Sequence, residues 1–145
     1  MITNEVSIFI NRPIEQVFEY TVDGHNLHNW QSGFFEHELL TEGPKRVGTR
    51  IREVRQVGPR KAEIQAEVTA FELNKRFATK TLTKPYVTVG YTFESENGGT
   101  RINYKFTLVA NGLMRLMEPI IARGVKSDSQ KDFKKLKSIL ESKNA

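Results

Sequence analysis

The sequence contains no cysteine. This absence excludes disulfide bridges, a thiol nucleophile and thiolate ligands for a metal ion, and it fits a reducing compartment. No apolar run approaches the ~18 residues that cross a bilayer. The segment 1–10 also lacks the basic stretch and long apolar run of a secretory signal. These absences favour a cytoplasmic protein without stable membrane insertion.

Signatures of catalytic or cofactor chemistry are also lacking. The sequence has no Gly-rich phosphate loop, nucleophile elbow or zinc signature. His25 and His28 are close enough to serve as acid and base, or they lie exposed on a short helix. No carboxylate stands at helical spacing to complete a metal site with them, because Asp23 is placed to cap a helix. We therefore expect no metal and no cofactor.

The composition is that of a globular chain. Its 145 residues are 38% hydrophobic and 10% aromatic, which suffices for a hydrophobic core. The chain has no internal repeat and no low-complexity tract. We expect a single domain over residues 1–145.

The net charge of +5 lies mostly in the C-terminal segment. Residues 111–145 carry eight Lys and Arg against four Asp and Glu, whereas the first 110 residues carry fourteen against thirteen. This pattern indicates either a surface for anionic lipid or nucleic acid, or a solvated helix face. Asp128, Asp132 and Glu141 interrupt the basic residues. We therefore favour the solvated face and expect no nucleic-acid binding.

The stretch Leu113–Glu141 predicts one long amphipathic helix. Apolar residues recur there at three- and four-residue steps, which places them on one helix face, and basic residues occupy the other. Pro119 lacks a backbone donor and would clash with the carbonyl of Arg115, so we expect a kink at this proline. A helix of this length needs a broad apolar partner.

The rest of the chain predicts a sheet interrupted by two short helices, Ile14–Tyr20 and Gly24–Asn29. Runs of alternating apolar and polar residues are separated by Gly, Pro and Asn turns, as antiparallel strands require. The predicted strands are Glu5–Ile10, Phe34–Leu40, Thr49–Val57, Lys61–Phe71, Phe77–Thr83, Tyr86–Glu94 and Thr100–Val109. The expected fold is α+β: a curved antiparallel sheet with one wet face and one face covered by the long helix.

A curved sheet and a straight helix do not match in shape everywhere. The space between them is either filled by large side chains or left as a cavity. Alanines alternate with Ile and Val along the covered face of Ala62–Ala70, and Gly90 and Gly124 leave further room. These small residues predict a cavity or, alternatively, close packing of the helix on the sheet.

Several short motifs resemble those of the START-like SRPBCC superfamily, which includes the polyketide cyclase/dehydrase and lipid transport group. The resemblance spans essentially the whole chain and implies a helix-grip fold with a ligand cavity between the sheet and the long helix. It does not imply a reaction. The motifs are Ile10–Phe18 followed by Asp23 and Trp30, Gly43-Pro44 with Val47–Thr49, Val68–Glu72, Gly98–Arg101, and Leu136-Lys137 with Leu140-Glu141.

Three ionisable residues are candidates for a catalytic role inside such a cavity. Arg52 is the main candidate of a group, Arg50, Arg52 and Arg55 with Glu53, that could place a guanidinium in the cavity to hold a carboxylate or an enolate. We favour the alternative, in which these residues form a ladder on the wet face. Asp128 falls between two apolar arcs of the long helix, so it points inward or lies at the cavity rim. Tyr91 offers a hydroxyl group that could orient a ligand.

We predict that the protein binds a small, largely apolar molecule, lipid- or polyketide-like, as a monomer or homodimer. Two alternatives stay open: a cyclase- or dehydratase-like enzyme, and a partner- or membrane-docking module that uses the basic helix face. The expected ligand-binding residues are Trp30, Phe34, Val68, Tyr91, Phe93, Tyr104 and Phe106 from the sheet side, and Leu113, Met117, Ile120, Ile121 and Gly124 from the helix.

Overall fold

The computed structural model describes residues 1–142 and confirms the α+β helix-grip fold. The strands are β1 Ile2–Ile10, β2 Phe34–Leu39, β3 Arg50–Val57, β4 Arg60–Glu72, β5 Arg76–Thr81, β6 Tyr86–Glu96 and β7 Gly99–Val109. The helices are α1 Ile14–Val22, α2 Leu27–Trp30, α3 Leu113–Leu116 and α4 Glu118–Ser142, with a 3₁₀ turn at Gly24–Asn26 before α2. The strands form one antiparallel sheet in the order β1-β7-β6-β5-β4-β3-β2.

The β6–β7 hairpin sets the register in one half of the sheet. Its turn is Asn97-Gly98, with φ values of 48° and 79°. These are left-handed conformations of the kind that a two-residue hairpin turn needs, and Asn and Gly adopt them with the least strain. The resulting register pairs Tyr91 with Tyr104, and β1 continues it by pairing Val6 with Tyr104. These three side chains therefore share one face of the sheet, which we call the inner face.

The C-terminal half of α4 covers part of the inner face. Its three core side chains, Phe133, Leu136 and Leu140, are at most 2% exposed. The Phe133 ring lies 5.3 Å from the ring of Trp30 on α2. Hydrogen bonds fix both ends of the contact with the β1 region: Asn4 Nδ2 donates to Ser129 Oγ (2.7 Å), and the Asn11 amide donates to the Glu141 carboxylate (2.8 Å).

The prediction of a single helix with a kink at Pro119 is wrong in one respect: the helix is interrupted rather than kinked. The chain leaves helical geometry at Met117 (φ −100°, ψ 4°), and α4 begins anew at Glu118. Pro119 therefore occupies the first turn of α4, where its missing N–H has no intrahelical partner to lose. The proline breaks the helix two residues before its own position rather than bending it.

Within the described residues, none of the helices combines the length and the apolar character needed to span a lipid bilayer.

Candidate functional site: an apolar pocket beside a buried ion-pair chain

A pocket of about 500 Å³ opens where α1 and the 3₁₀ turn face β2 and the β4–β5 turn. We call it the α1–β2 pocket. Apolar side chains form much of its wall, and the polar side chains lie mainly along α1 and the 3₁₀ turn. The apolar set is Phe18, Val22, Leu39, Phe71 and Leu73; the polar set is Glu15, Glu19, Asp23, His25, His37, Lys45 and Asn74.

The amphipathic pattern of α1 explains how the pocket is built. Val17 and Phe18 are buried, whereas Glu15 and Glu19, one helical turn apart, are exposed. The Phe18 ring meets the Phe71 ring edge-on at 5.7 Å. The helix therefore supplies the apolar floor from its buried side and the acidic rim from its exposed side.

Lys45 is the ammonium group in this pocket. Its Nζ donates to the carbonyl oxygen of Val22 at 2.6 Å and lies 5.2 Å from the centre of the Phe77 ring. Burial lowers the pKa of Lys45, because removal from water disfavours the charged form, and the carboxylates of Asp23 and Glu53 oppose this shift only in part. Lys45 is therefore a desolvated cation next to an apolar wall.

A chain of ion pairs runs from the pocket along the inner face. His37 Nδ1 lies 3.1 Å from Glu53 Oε2, and Arg55 Nε donates to Glu53 Oε1 at 2.9 Å. The side chains of His37 and Glu53 are only 4% and 13% exposed. Burial alone would raise the pKa of Glu53, but the charge of Arg55 and the contact with His37 outweigh it and leave the pKa below its usual value.

Gly24 makes the buried position of His37 possible. A Cβ added at Gly24 would lie 1.9 Å from His37 Nε2, far inside van der Waals contact. The imidazole therefore packs directly against the glycine backbone, on the side opposite its bond to Glu53. Any larger residue at position 24 must displace the ring.

We therefore expect Gly24→Ala to lower the free energy of unfolding by about 2 kcal/mol, as overpacking of a core does. Urea denaturation followed by circular dichroism measures this loss, and the NMR signal of the His37 ring reports its displacement. Gly124→Ala is the matched control, because an added Cβ there meets nothing within 4 Å. Equal stability of Gly24→Ala and the wild type would contradict the packing described here.

Two tyrosines on the inner face, Tyr91 and Tyr104, lie close enough to Arg55 for its charge to act on both. The ring centres of Tyr91 and Tyr104 lie 5.2 Å apart, and the ring centre of Phe133 lies 4.8 Å from that of Tyr104. Burial raises the pKa of Tyr91, and it raises the pKa of Tyr104 to about 12. Both phenols therefore stay protonated near neutral pH and do not act as bases there.

Two buried polar atoms close to these tyrosines have no hydrogen-bond partner among residues 1–142. They are Trp30 Nε1 and Gln31 Oε1. The amide nitrogen of Gln31 reaches Tyr91 Oη at 3.5 Å. Buried polar groups usually find a partner, so these two atoms are exceptions within the interior.

A second depression, of about 510 Å³, lies over the strands β1, β5, β6 and β7. Its lining includes Gly90, which pairs with Ala78 and the exposed Lys105 and therefore lies on the outer face of the sheet. Gly90 therefore leaves no room on the covered face, contrary to expectation. Charged and polar residues such as Arg76, Asn103 and Lys105 surround this depression. It is less suited to an apolar ligand than the α1–β2 pocket.

The structure places Arg52 on the outer face, in the cross-strand ladder that the sequence favours over a place in the cavity. Its guanidinium bonds Glu63 on β4 and lies 3.5 Å from Glu38 on β2. The reason is the two-residue period of β3: Ile51 is buried, so Glu53 and Arg55 share its face and Arg52 faces outward. The inward arginine is Arg55.

Asp128 is exposed on α4, and the half-buried carboxylate is Asp132, one turn later. Asp132 accepts hydrogen bonds from the amide and hydroxyl groups of Ser32, at 3.0 and 2.6 Å. Burial raises the pKa of Asp132, and the two bonds from Ser32 offset this only in part. The break at Met117 separates α4 from the earlier turn, so a wheel drawn through both halves misplaces Asp128.

Two of the three histidines are exposed and one is buried. His25 and His28 are exposed, and His25 Nδ1 lies 3.1 Å from Asp23 Oδ1. Asp23 caps the 3₁₀ turn as expected, by accepting from the His25 amide. His37 is the buried histidine. No three His, Asp or Glu side chains of residues 1–142 form a group that could hold a metal ion.

The predicted ligand-binding residues fall into three groups. The residues predicted on the sheet side belong to the hydrophobic core or lie at its edge. Within this core the ring centres of Tyr91 and Phe133 are 6.3 Å apart. Those of the helix lie largely on the surface. The buried or partly buried group is Trp30, Phe34, Val68, Tyr91, Phe93, Tyr104 and Phe106; the exposed group is Leu113, Met117, Ile120 and Gly124; Ile121 is intermediate.

Sequence reasoning singled out Asp23 and His25, but it did not predict the α1–β2 pocket or the role of Lys45. Lys45 lies in a loop without periodicity, and nothing local distinguishes it from an exposed lysine. The signal for Glu53 and Arg55 was present, since the alternation from Ile51 assigns them to the inner face. The register that brings His37 opposite Glu53 depends on a bulge between Phe34 and Glu36.

Solved structures share this fold across nearly the full chain. TTHA0849 from Thermus thermophilus has 16% sequence identity and a TM-score of 0.78, with 95% of this chain and 96% of that chain covered. SA2116 from Staphylococcus aureus, a protein of unknown function, has 13% identity and a TM-score of 0.76, covering 97% and 94%. Ara h 8.0201 has 16% identity and a TM-score of 0.70, covering 97% and 98%.

These identities establish the fold alone. A search of curated protein sequences found no significant match. The model of one protein family, described as polyketide cyclase / dehydrase and lipid transport, matches residues 1–141. The helix-grip fold and this match over almost the whole sequence agree, and the chain belongs to the polyketide cyclase / dehydrase and lipid transport family.

Proposed function

We propose that the protein binds a small, largely apolar molecule in the α1–β2 pocket, with Lys45 holding an oxygen atom of the ligand. One observation carries the proposal: a pocket of about 500 Å³ combines an apolar wall with a single partly buried ammonium group. Ligand sites are typically concave and mainly apolar, with few polar groups that fix orientation. The family, whose description includes lipid transport, supports a ligand of this class.

The two parts of the pocket contribute differently to binding. Burial of apolar ligand surface supplies roughly 25 cal/mol per Å² and does not discriminate strongly between similar molecules. An ammonium has three donor hydrogens, and among the described residues the Val22 carbonyl uses one. The remaining donors favour a ligand with a carboxylate or another strong oxygen acceptor.

The geometry favours binding over catalysis. The three catalytic candidates lie in three places: Arg52 on the outer face, Asp128 exposed on α4, and Tyr91 in the core. General acid–base chemistry needs such groups within hydrogen-bond reach of one reacting atom. We also propose that residues 1–145 form one START-like domain, which the family match over residues 1–141 supports.

Isothermal titration with dodecanoate and dodecanol tests the role of Lys45. Lys45→Met is expected to weaken dodecanoate binding about tenfold, since it removes one charge-assisted hydrogen bond. Dodecanol binding should change little, because its hydroxyl group carries no charge. Lys61→Met, at an exposed lysine on β4, is the matched control and should leave both affinities unchanged.

Leu73→Trp tests the location of the ligand. Leu73 lines the pocket and is 70% exposed, so the larger side chain fills the pocket without disturbing the core. We expect this variant to lose binding of both probes. Retained binding in Leu73→Trp together with lost binding in Ile121→Trp would instead place the ligand between the sheet and α4. Extraction and native mass spectrometry of the purified protein would then identify any ligand it carries.

A further inference from the structure

Four large apolar side chains at the start of the C-terminal helical region are uncovered. Leu113, Leu116, Met117 and Ile120 are 80%, 80%, 50% and 64% exposed. They follow one another at three-, one- and three-residue steps, the spacing of a helix face that is normally buried. We call these four residues the α3–α4 apolar face. Single exposed apolar residues are ordinary, whereas a contiguous set of this kind marks an interaction surface.

The exposure follows from how the chain is held at this point. The helix is interrupted at Met117, and the buried residues of α4 begin only at Ser129. The amino group of Met1 pairs with Glu118 at 2.9 Å and so ties the first turn of α4 to the start of β1. Met1 is itself 75% exposed and adds an apolar side chain to this end of the molecule.

Basic side chains flank the α3–α4 apolar face. Arg115 lies within α3. Arg123 follows Ile120 by three residues, so Ile120 and Arg123 lie on the same side of α4. Lys126 follows one turn later. All three are exposed, and none forms an ion pair with another residue of the described chain. The nearby acidic group, Glu118, is already paired with the amino terminus.

We propose that the α3–α4 apolar face docks peripherally on an anionic lipid surface. Apolar side chains that enter the interfacial region, together with basic residues beside them, are the two attractions by which amphipathic segments bind such membranes. A second copy of the chain fits less well. In a symmetric dimer the same patch meets itself, which would bring the unpaired Arg115, Arg123 and Lys126 of both copies together.

Co-sedimentation with lipid vesicles tests the proposal. The intact protein is expected to bind vesicles of mixed phosphatidylserine and phosphatidylcholine more tightly than vesicles of phosphatidylcholine alone, and less tightly as salt concentration rises. The double variant Leu116→Glu/Ile120→Glu should reduce binding to the mixed vesicles at least about tenfold. The double variant Arg123→Glu/Lys126→Glu should remove the preference for the anionic vesicles.

Val47→Glu is the matched control, since Val47 is an apolar residue 60% exposed in a loop away from α3 and α4. It should bind the vesicles like the intact chain. Equal binding by the intact chain and Leu116→Glu/Ile120→Glu would overturn the proposal. So would a stable dimer in sedimentation equilibrium that this variant dissociates, since the face would then be an interface between copies. Dodecanoate binding should persist in all the variants made for the vesicle experiment. Failure of the membrane-docking proposal can therefore be distinguished from failure of the ligand-binding proposal.

Discussion

Phe133→Ala is expected to lower the free energy of unfolding by about 4 kcal/mol, the cost of removing a large aromatic side chain from a core. Phe133 is 2% exposed, and its ring lies within 4.8 to 6.3 Å of the rings of Tyr104, Trp30 and Tyr91. It therefore joins α4, α2 and the inner face. The alanine leaves a cavity that three aromatic rings cannot all move to fill.

Urea denaturation followed by far-ultraviolet circular dichroism measures this loss. The fluorescence of Trp30, the only tryptophan, reports the local change, because Phe133 packs against its ring. Phe133→Leu keeps part of the buried volume, so a smaller loss is expected.

Ile120→Ala provides the sharper comparison. Both residues lie in α4 and carry large apolar side chains, but Ile120 is 64% exposed. The structure therefore predicts almost no loss for Ile120→Ala. Equal losses in Phe133→Ala and Ile120→Ala would mean that the whole helix is docked on the sheet, as the sequence pattern alone suggests.

Glu53→Ala is expected to destabilise the protein by about 3 kcal/mol, because it leaves the buried His37 ring and the partly buried Arg55 guanidinium without their shared partner. Glu53 bonds both His37 and Arg55, and it is the anion that links them. Glu63→Ala on the neighbouring strand is the matched control. Glu63 pairs with Arg52 but is 55% exposed, so solvent screens the lost interaction and stability should remain close to that of the wild type.

The same carboxylate predicts a dependence of stability on pH. The folded-state pKa of Glu53 lies below its ordinary value of 4.5. The unfolded chain therefore binds the proton more readily, and Glu53 contributes stability above about pH 4.5 that is lost as the pH falls through the folded-state pKa. Asp132, whose pKa is raised, acts with the opposite sign. The difference between the wild type and Glu53→Ala isolates the contribution of Glu53.

Denaturation curves at a series of pH values below neutrality measure this effect. The stability difference between the wild type and Glu53→Ala should shrink as the pH falls below about 4.5. A difference that stays constant down to pH 3 or so would show that folding does not lower the pKa of Glu53. A loss in Glu63→Ala equal to that in Glu53→Ala would contradict the burial of the ion-pair chain.

These expectations depend on features that the sequence revealed unevenly. Alternation along the strands, the Gly, Pro and Asn turns and the long C-terminal amphipathic pattern were enough to predict seven strands, two short helices and a curved sheet covered by a long helix. The family resemblance then implied the helix-grip fold. These are local signals, since a strand or helix buries one face wherever its partner lies. The turn at Asn97-Gly98 is the clearest case, because its residue types fit a left-handed turn by themselves.

The position of the candidate site was not a local property. Whether Asp128 or Asp132 faces the interior depends on the break at Met117, and whether Arg52 or Arg55 does so depends on strand register. Lys45 becomes a binding group only because the Val22 carbonyl and the Phe77 ring, both distant in sequence, come beside it. The sequence by itself determined which segments form strands and helices and that one face of each is apolar. The tertiary structure alone decided which apolar faces meet, which one stays exposed on α3 and α4, and where a pocket remains, because shape matching between distant segments leaves no periodic signal in the chain.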